Sequence, residues 1–236
     1  MYSAISSPFR IQIPVLLRGE SGPISAWTRE WDVRRVGMNV AVILLGAGFY
    51  GAAMGWWRDP VQGLYVAIKF PLVILLTTLG NALLNAMLAP LLGLNITLRE
   101  SFLAMLMSFT IAAAILGAFS PLLAFMVWNA PLMTPDVKST GTYAFIKLTQ
   151  VVAIAFAGIA ANMRLFQLLV NLGGNTRVAG RVLFAWLAGN LFLGSQLTWI
   201  ARPFIGAPQL PVVFFRESAF QSNFFEDVAR TISGLL

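Results

Sequence analysis

The chain has 236 residues, of which 58% are hydrophobic and 11% are charged, and its formal net charge is +7. Because a soluble domain carries about 25% charged residues, this chain lacks the polar surface to cover one, and the composition predicts a polytopic membrane protein. The absence of Cys and His excludes disulfides, thiolate metal sites and histidine-based catalysis, so we expect no cofactor and no metal. The positive charge fits basic cytoplasmic loops and anionic lipid better than nucleic acid.

Residues 1–37 form a basic N-terminal segment ahead of the first apolar run. Trp27 and Trp31 are four residues apart, so they share one face of a short helix in which Glu30 can pair with Arg34. Because tryptophan favours the headgroup level of a bilayer, we expect an interfacial helix on the cytoplasmic surface. A plain juxtamembrane linker is the alternative.

Five hydrophobic segments are long enough to cross about 30 Å of hydrocarbon at about 1.5 Å per residue. Since a helix satisfies its own backbone hydrogen bonds in lipid, the predicted fold is all-α, a five-span transmembrane bundle over residues 38–200. With the N-terminus inside, nine Lys and Arg are cytoplasmic and seven are not, which favours a cytoplasmic N-terminus. The predicted spans are Met38–Trp57, Tyr65–Leu88, Phe102–Trp128, Tyr143–Met163 and Val182–Ile200.

The first span has a small-residue face, because Ala47, Gly51 and Gly55 follow one another at steps of four. Small residues allow helix backbones to approach closely in lipid. We therefore expect this face to pack against another helix of the chain, with self-association through the first span as the alternative.

The second and fifth spans each carry a polar stripe. Thr77, Asn81 and Asn85 are spaced by four in the second span; the fifth offers Asn190 with Thr198 on one stripe and Gln196 beside it. An unpaired amide in lipid costs several kcal/mol, so both stripes should face the interior. We predict that these spans meet or line a shared polar cavity, through structural hydrogen bonds or, alternatively, along a substrate path.

Lys69 and Lys147 each lie near the start of a span, within the shared pattern Tyr-x-x-Ile-Lys. In the predicted orientation both lie near the outer face, where a lysine can extend its ammonium to the interface. The alternative is a basic site for an anionic lipid headgroup or solute.

The C-terminal segment, residues 201–236, begins with a run rich in proline that cannot form a continuous helix up to Arg216. We expect this run to fold back over the outer mouth of the bundle, with Arg202 at the water boundary binding phosphate or a loop carbonyl. From Ser218 to Leu236, apolar and polar residues fall on opposite arcs, which predicts an amphipathic helix on the outer surface or across the mouth.

Two stretches, Ile68–Thr78 and Gly194–Gly206, resemble an uncharacterised family of bacterial polytopic membrane proteins with a C-terminal GxQLxWxxRPFxG signature. The segments Phe215-Arg216 and Ser222–Glu226 extend the resemblance, which covers most of residues 40–230. The middle of the chain is more distantly similar to the five-span Yip family, including the start of the third span at Thr97. The resemblance implies a multi-pass protein of the bacterial inner membrane and leaves its activity open.

These features together predict a non-catalytic scaffold or accessory subunit that contacts lipids, including anionic ones, and other membrane subunits or itself. The alternative is a small channel or transporter whose interior is lined by Asn, Gln and Lys. A membrane enzyme is the third possibility, but the nine Asp and Glu residues all lie in the tails or between apolar runs. A continuous polar cavity would favour transport, and a packed interior would favour the scaffold.

Overall fold

The computed structural model describes residues 32–133, 141–206 and 211–233. Within these residues the chain forms six α-helices and no strand, and the first five helices are long and apolar enough to span a membrane. The predicted all-α bundle of five spans is therefore confirmed. The expected N-terminal interfacial helix lies outside the described residues. The helices are α1 (Val33–Trp56), α2 (Pro60–Leu91), α3 (Leu98–Trp128), α4 (Gly141–Gly173), α5 (Thr176–Ala201) and α6 (Phe224–Ser233).

Each spanning helix is longer at one or both ends than the apolar run that predicted it. Polar caps explain the early starts, because Asp32 Oδ1 accepts from Arg34 N at 2.9 Å and Asp59 Oδ1 accepts from Val61 N at 2.7 Å. At the start of α3, Thr97 forms a reciprocal capping box with the third helical residue. Hydropathy marks the part of a helix in lipid, whereas capping side chains fix where the helix begins.

The five spans form a closed ring in which α1 packs on α2, α2 on α5, α5 on α4, α4 on α3 and α3 on α1. A further contact joins α2 to α3 across the ring. The most buried of the five spans is α3, and α6 packs against α5. The end of the bundle where α1, α3 and α5 finish is called the tail end below.

The small-residue face of α1 packs against α2. Ala47 is fully buried, a Cβ atom on Gly51 would lie 2.6 Å from Val66 O, and one on Gly55 would lie 2.6 Å from Gln62 O. At these positions the α2 backbone occupies the space of a side chain. The interpretation of this face as an internal helix contact is thus confirmed.

The chain between α5 and α6 crosses the tail end of the bundle; its described residues, 202–206 and 211–223, are called the tail. The final helix begins at Phe224, so the predicted start at Ser218 was wrong. Residues 217–220 form turns, and Asn223 Oδ1 accepts from Glu226 N at 2.9 Å. An asparagine cap therefore sets the start of α6, although the apolar arc begins earlier.

Candidate functional site

The buried residues Lys69, Thr77, Asn81 and Asn85 lie along one contact, the α2–α5 seam, which runs from Gly93 and Val178 to Lys69 and Pro203. Other buried polar side chains, such as Asn39 and Gln150, lie on other helices. A Cβ atom on Gly93 would lie 3.9 Å from Val178 Cγ1, whereas Lys69 Nζ donates to Pro203 O at 3.2 Å. The two helices are antiparallel. Their facing residues therefore progress in opposite directions along the chain.

At the middle of the seam, Asn81 Nδ2 donates to Asn190 Oδ1. Asn81 is fully buried, Asn190 is partly buried, and Thr77, one turn away at 4% exposure, donates to Val73 O at 2.7 Å. The prediction that the polar stripes of the second and fifth spans meet is confirmed by this amide pair. Thr198 is exposed, so the stripe of α5 does not continue along its full length.

The next level of the seam carries buried hydrogen-bonding groups without partners. Both amide atoms of Asn85, the Oδ1 of Asn81 and the indole Nε1 of Trp186 have no partner in the structure. Asn85 lies one turn beyond Asn81 on α2, and Trp186 lies one turn before Asn190 on the antiparallel α5. The register thus places Trp186 at the level of Asn85. Each buried group without a partner lowers the free energy of unfolding by about 1–3 kcal/mol, so this level of the seam destabilises the fold.

Lys69 lies at the tail end of the seam and is only 1% exposed. Its Nζ donates to Pro203 O at 3.2 Å and Val213 O at 3.5 Å, and no carboxylate of the described residues lies within ion-pair distance. Three aromatic rings lie within 6 Å of the ammonium, those of Tyr65, Phe214 and Phe215. Carbonyl dipoles of the tail, two rings of the tail and the Tyr65 ring of α2 therefore replace the water that a lysine would otherwise retain.

Gln62 holds the tail from the same face of α2, two turns before Lys69. Its Nε2 donates to Pro203 O at 2.8 Å and to Phe204 O at 3.0 Å, and the residue is 1% exposed. Gln62 was not among the predicted site residues, although its spacing of seven residues from Lys69 was an available signal. The expected return of the Pro-rich run over the bundle is confirmed by these bonds.

Two arginines stack on one indole where the tail leaves α5. Arg202 Cζ lies 3.1 Å and Arg216 Cζ lies 5.4 Å from the centre of the Trp199 ring. Both also donate to Trp199 O, from Arg202 Nε at 3.4 Å and from Arg216 Nη2 at 3.3 Å. Burial and the nearby Arg216 lower the pKa of Arg202, whereas Asp227 raises it. We call Arg202 and Arg216 the arginine pair; the sequence analysis selected only the first.

Two other predicted site residues lie elsewhere. Gln196 Oε1 accepts from Phe224 N at 3.0 Å, so this side chain fixes the start of α6 and lies away from the amide pair. Lys147 is exposed on α4, whereas Lys69 is buried against the tail. The structure therefore groups Lys69 with the residues around Arg202 and places Lys147 on an outer face.

No protein-family model matches the chain, nor does any curated protein or solved structure. The resemblance to the bacterial family therefore stays a prediction based on the signature at Gly194–Gly206. In the structure, several residues of this signature take part in the contacts of the tail. Gln196 binds the start of α6, Trp199 Nε1 donates to Ser222 O at 3.0 Å, and Pro203 O receives the bonds of Gln62 and Lys69.

Proposed function

We propose that the chain is a non-catalytic integral membrane protein that acts as a scaffold or accessory subunit through contacts with lipids and other membrane proteins. The observation that carries this proposal is the closure of the α2–α5 seam. Lys69, Asn81 and Asn85 are at most 1% exposed, and the tail covers Lys69. A solute path needs polar groups that face water, whereas Lys69 is bonded to the backbone of the tail, Asn81 is bonded to Asn190, and Asn85 is enclosed by the packed helices.

Close packing along the seam supports the same proposal. A Cβ atom on Gly189 would lie 3.1 Å from Asn81 Oδ1, and one on Gly80 would lie 2.9 Å from Leu193 Cδ1. At these glycines, side chains of the facing helix already occupy the space of a methyl group. A solute could pass only if these side chains moved aside.

The outward faces are apolar and offer contact surfaces. A groove between α1 and α3 is lined by aromatic and small residues, among them Phe49, Trp56, Ala124 and Trp128. Phe49 and Trp128 are 62% and 74% exposed. Lipid chains or a partner helix fit such a surface, because apolar groups there need neither water nor hydrogen bonds.

We further propose that the protein resides in a bacterial inner membrane with its N-terminus in the cytoplasm. The distribution of Lys and Arg supports this orientation, most clearly at α1: Arg29 precedes the helix, Arg34 and Arg35 lie in its first turn, and Arg58 alone follows it. The resemblance to the bacterial family supports the compartment.

The scaffold is tested by reconstituting the full chain in proteoliposomes and by native mass spectrometry of the protein extracted from cells in mild detergent. We expect ion and small-solute leakage equal to that of empty liposomes, together with a bound subunit or lipid at fixed stoichiometry. Leakage well above the empty control that is lost in Asn81→Leu but kept in Lys147→Gln would contradict the proposal. Lys147 is a suitable control because it is exposed and far from the seam in sequence.

A small channel or transporter is the second candidate, and one observation favours it. The partnerless amide atoms of Asn85 and Asn81, with the indole of Trp186, leave hydrogen-bonding groups that a polar solute could use. If this function operates, Asn85→Leu should abolish flux while the variant remains folded in detergent.

A further inference from the structure

We propose that the arginine pair, Arg202 and Arg216, forms a binding site for a phosphate group at the tail end of the bundle. The inference deepens the proposed function and rests on it, because it names the chemistry of one of the contacts that a lipid-binding scaffold would make. It concerns residues outside the spans, at the position where α5 gives way to the tail.

The geometry brings two guanidinium groups to one place. They lie 3.1 Å and 5.4 Å from the centre of the same Trp199 ring and donate to the same backbone carbonyl. Cation–π contact with the indole and the bonds to the shared carbonyl restrain both groups before any ligand arrives. Arg216 Nε is buried without a partner, so donor capacity is left over at this point.

The charge balance favours an anion. Like charges held this close repel each other. Burial first, and the charge of Arg216 second, lower the pKa of Arg202. Asp227 is the acidic group that acts on Arg202, and the neighbouring Lys69 ammonium is satisfied by carbonyls and rings. A bound anion would relieve the repulsion between the two arginines and accept their unused hydrogen bonds.

Phosphate matches this arrangement better than a single carboxylate does. Its several oxygens can accept from two guanidinium forks at once, and such charge-assisted bonds are about twice as strong as neutral ones. About two turns before Trp199 on α5, Phe192 stacks on Phe225 of α6 at 5.2 Å, and the two side chains are 58% and 42% exposed. A phospholipid headgroup could place its phosphate on the arginines and its acyl chains along these rings, whereas free phosphate would use the arginines alone.

The experiment uses the full chain in detergent and compares phosphatidylglycerol with diacylglycerol of the same chains, which lacks the phosphate. Native mass spectrometry reports the bound lipid. We expect the phospholipid to bind at least about tenfold more tightly, and Arg216→Gln to remove most of that preference. Arg177→Gln is the control and should leave it unchanged, because this arginine is exposed at the opposite end of α5. Equal binding of the two lipids, or an unchanged preference in Arg216→Gln, would overturn the site.

Inorganic phosphate separates the two sources of the ligand. If millimolar phosphate displaces phosphatidylglycerol from the wild type but not the residual lipid from Arg216→Gln, the arginine pair recognises phosphate alone. If phosphate has no effect while the lipid preference persists, the site requires the headgroup together with its chains. Both results support the proposal and assign the ligand.

Two further variants keep the test decisive if Arg216→Gln fails to fold. Arg216→Lys keeps the charge and loses the fork, so we expect several-fold weaker phospholipid binding. Asp227→Asn removes the carboxylate that acts on Arg202 and should strengthen binding; weaker binding would count against the site. If the arginine pair does not bind phosphate, the leakage and subunit-binding measurements are unaffected. A negative result for this site is therefore distinguishable from a negative result for the scaffold proposal.

Discussion

Lys69 shows how a single charged side chain can organise a segment far along the chain. The residue belongs to α2, and its ammonium donates to backbone carbonyls of residues 134 and 144 positions further along the chain. Moving an ammonium out of water is costly unless dipoles replace the solvent, and the tail provides two carbonyls and two phenylalanine rings. The lysine and the tail therefore depend on each other.

Replacing Lys69 with Met should release the tail from the bundle. The change removes two charge-assisted hydrogen bonds and the cation–π contacts, and each such bond contributes about 1.5–3 kcal/mol. We expect trypsin to cleave after Arg216 at least about tenfold faster in detergent, while the helical circular dichroism is retained. Lys147→Met, on an exposed position, should cleave at the wild-type rate. Wild-type cleavage in Lys69→Met would show that other contacts hold the tail.

Asn81 and Asn85 offer a matched pair for the seam, because both are buried and only Asn81 bonds to Asn190. Truncation to Ala leaves a similar cavity at either position. Asn81→Ala additionally leaves Asn190 without its partner, so it should lower the free energy of unfolding by about 0.6–1.7 kcal/mol more than Asn85→Ala does. Reversible unfolding in mixed detergent micelles measures the difference. Equal losses would mean that the amide pair adds no stability.

The sequence predicted that both asparagines face the interior and that the two lysines lie at similar depth. It did not predict that only one of the lysines is buried. Lys69 and Lys147 follow the same Tyr-x-x-Ile pattern, yet one is buried and the other is exposed. The local pattern is identical, and the burial of Lys69 depends on the return of the tail. Contacts over such separations leave no local signal.

At the level of helices, the faces were predictable because spacing by four is a local property. Ala47, Gly51 and Gly55 read as one small-residue face, and that face packs on α2. The ends of the helices were less predictable, because caps such as Asp59 lie outside the apolar run. The start of α6 was misplaced for the same reason, since hydrophobic periodicity carries no information on the cap at Asn223.

Alanine substitutions at Gly51 and Gly158 distinguish the effect of close helix packing from the effect of helix propensity. A Cβ atom on Gly51 would lie 2.6 Å from Val66 O and 3.1 Å from Phe70 Cβ, whereas a Cβ atom on Gly158 would meet nothing within 4 Å. We expect Gly51→Ala to lower the free energy of unfolding by about 1–3 kcal/mol, because α1 and α2 must separate. Gly158→Ala should leave it unchanged or raise it by up to about 1 kcal/mol. Unfolding in mixed micelles compares them, and similar values would refute a tight α1–α2 contact.

At the scale of the molecule, the helix ring and the tail make one closed unit. Matching polar stripes predicted that α2 and α5 are neighbours although they are distant in sequence, because each buried amide needs a partner in lipid. The prolines predicted that the tail is not a continuous helix and folds back over the bundle, but they did not predict its contacts. Its anchoring by Gln62 and the pairing of Arg202 with Arg216 arise from the assembled bundle.

The orientation of this unit decides which side of the membrane the tail end faces. Because the chain has no Cys, a single introduced thiol reports its own side without background. Asn95→Cys lies between α2 and α3, and Asn129→Cys follows α3; both positions are exposed. With a cytoplasmic N-terminus, a membrane-impermeant maleimide should label Asn129→Cys in intact spheroplasts and label Asn95→Cys only after permeabilisation. The reverse pattern would place the arginine pair on the cytoplasmic side, where the phosphate-binding site would meet the inner leaflet.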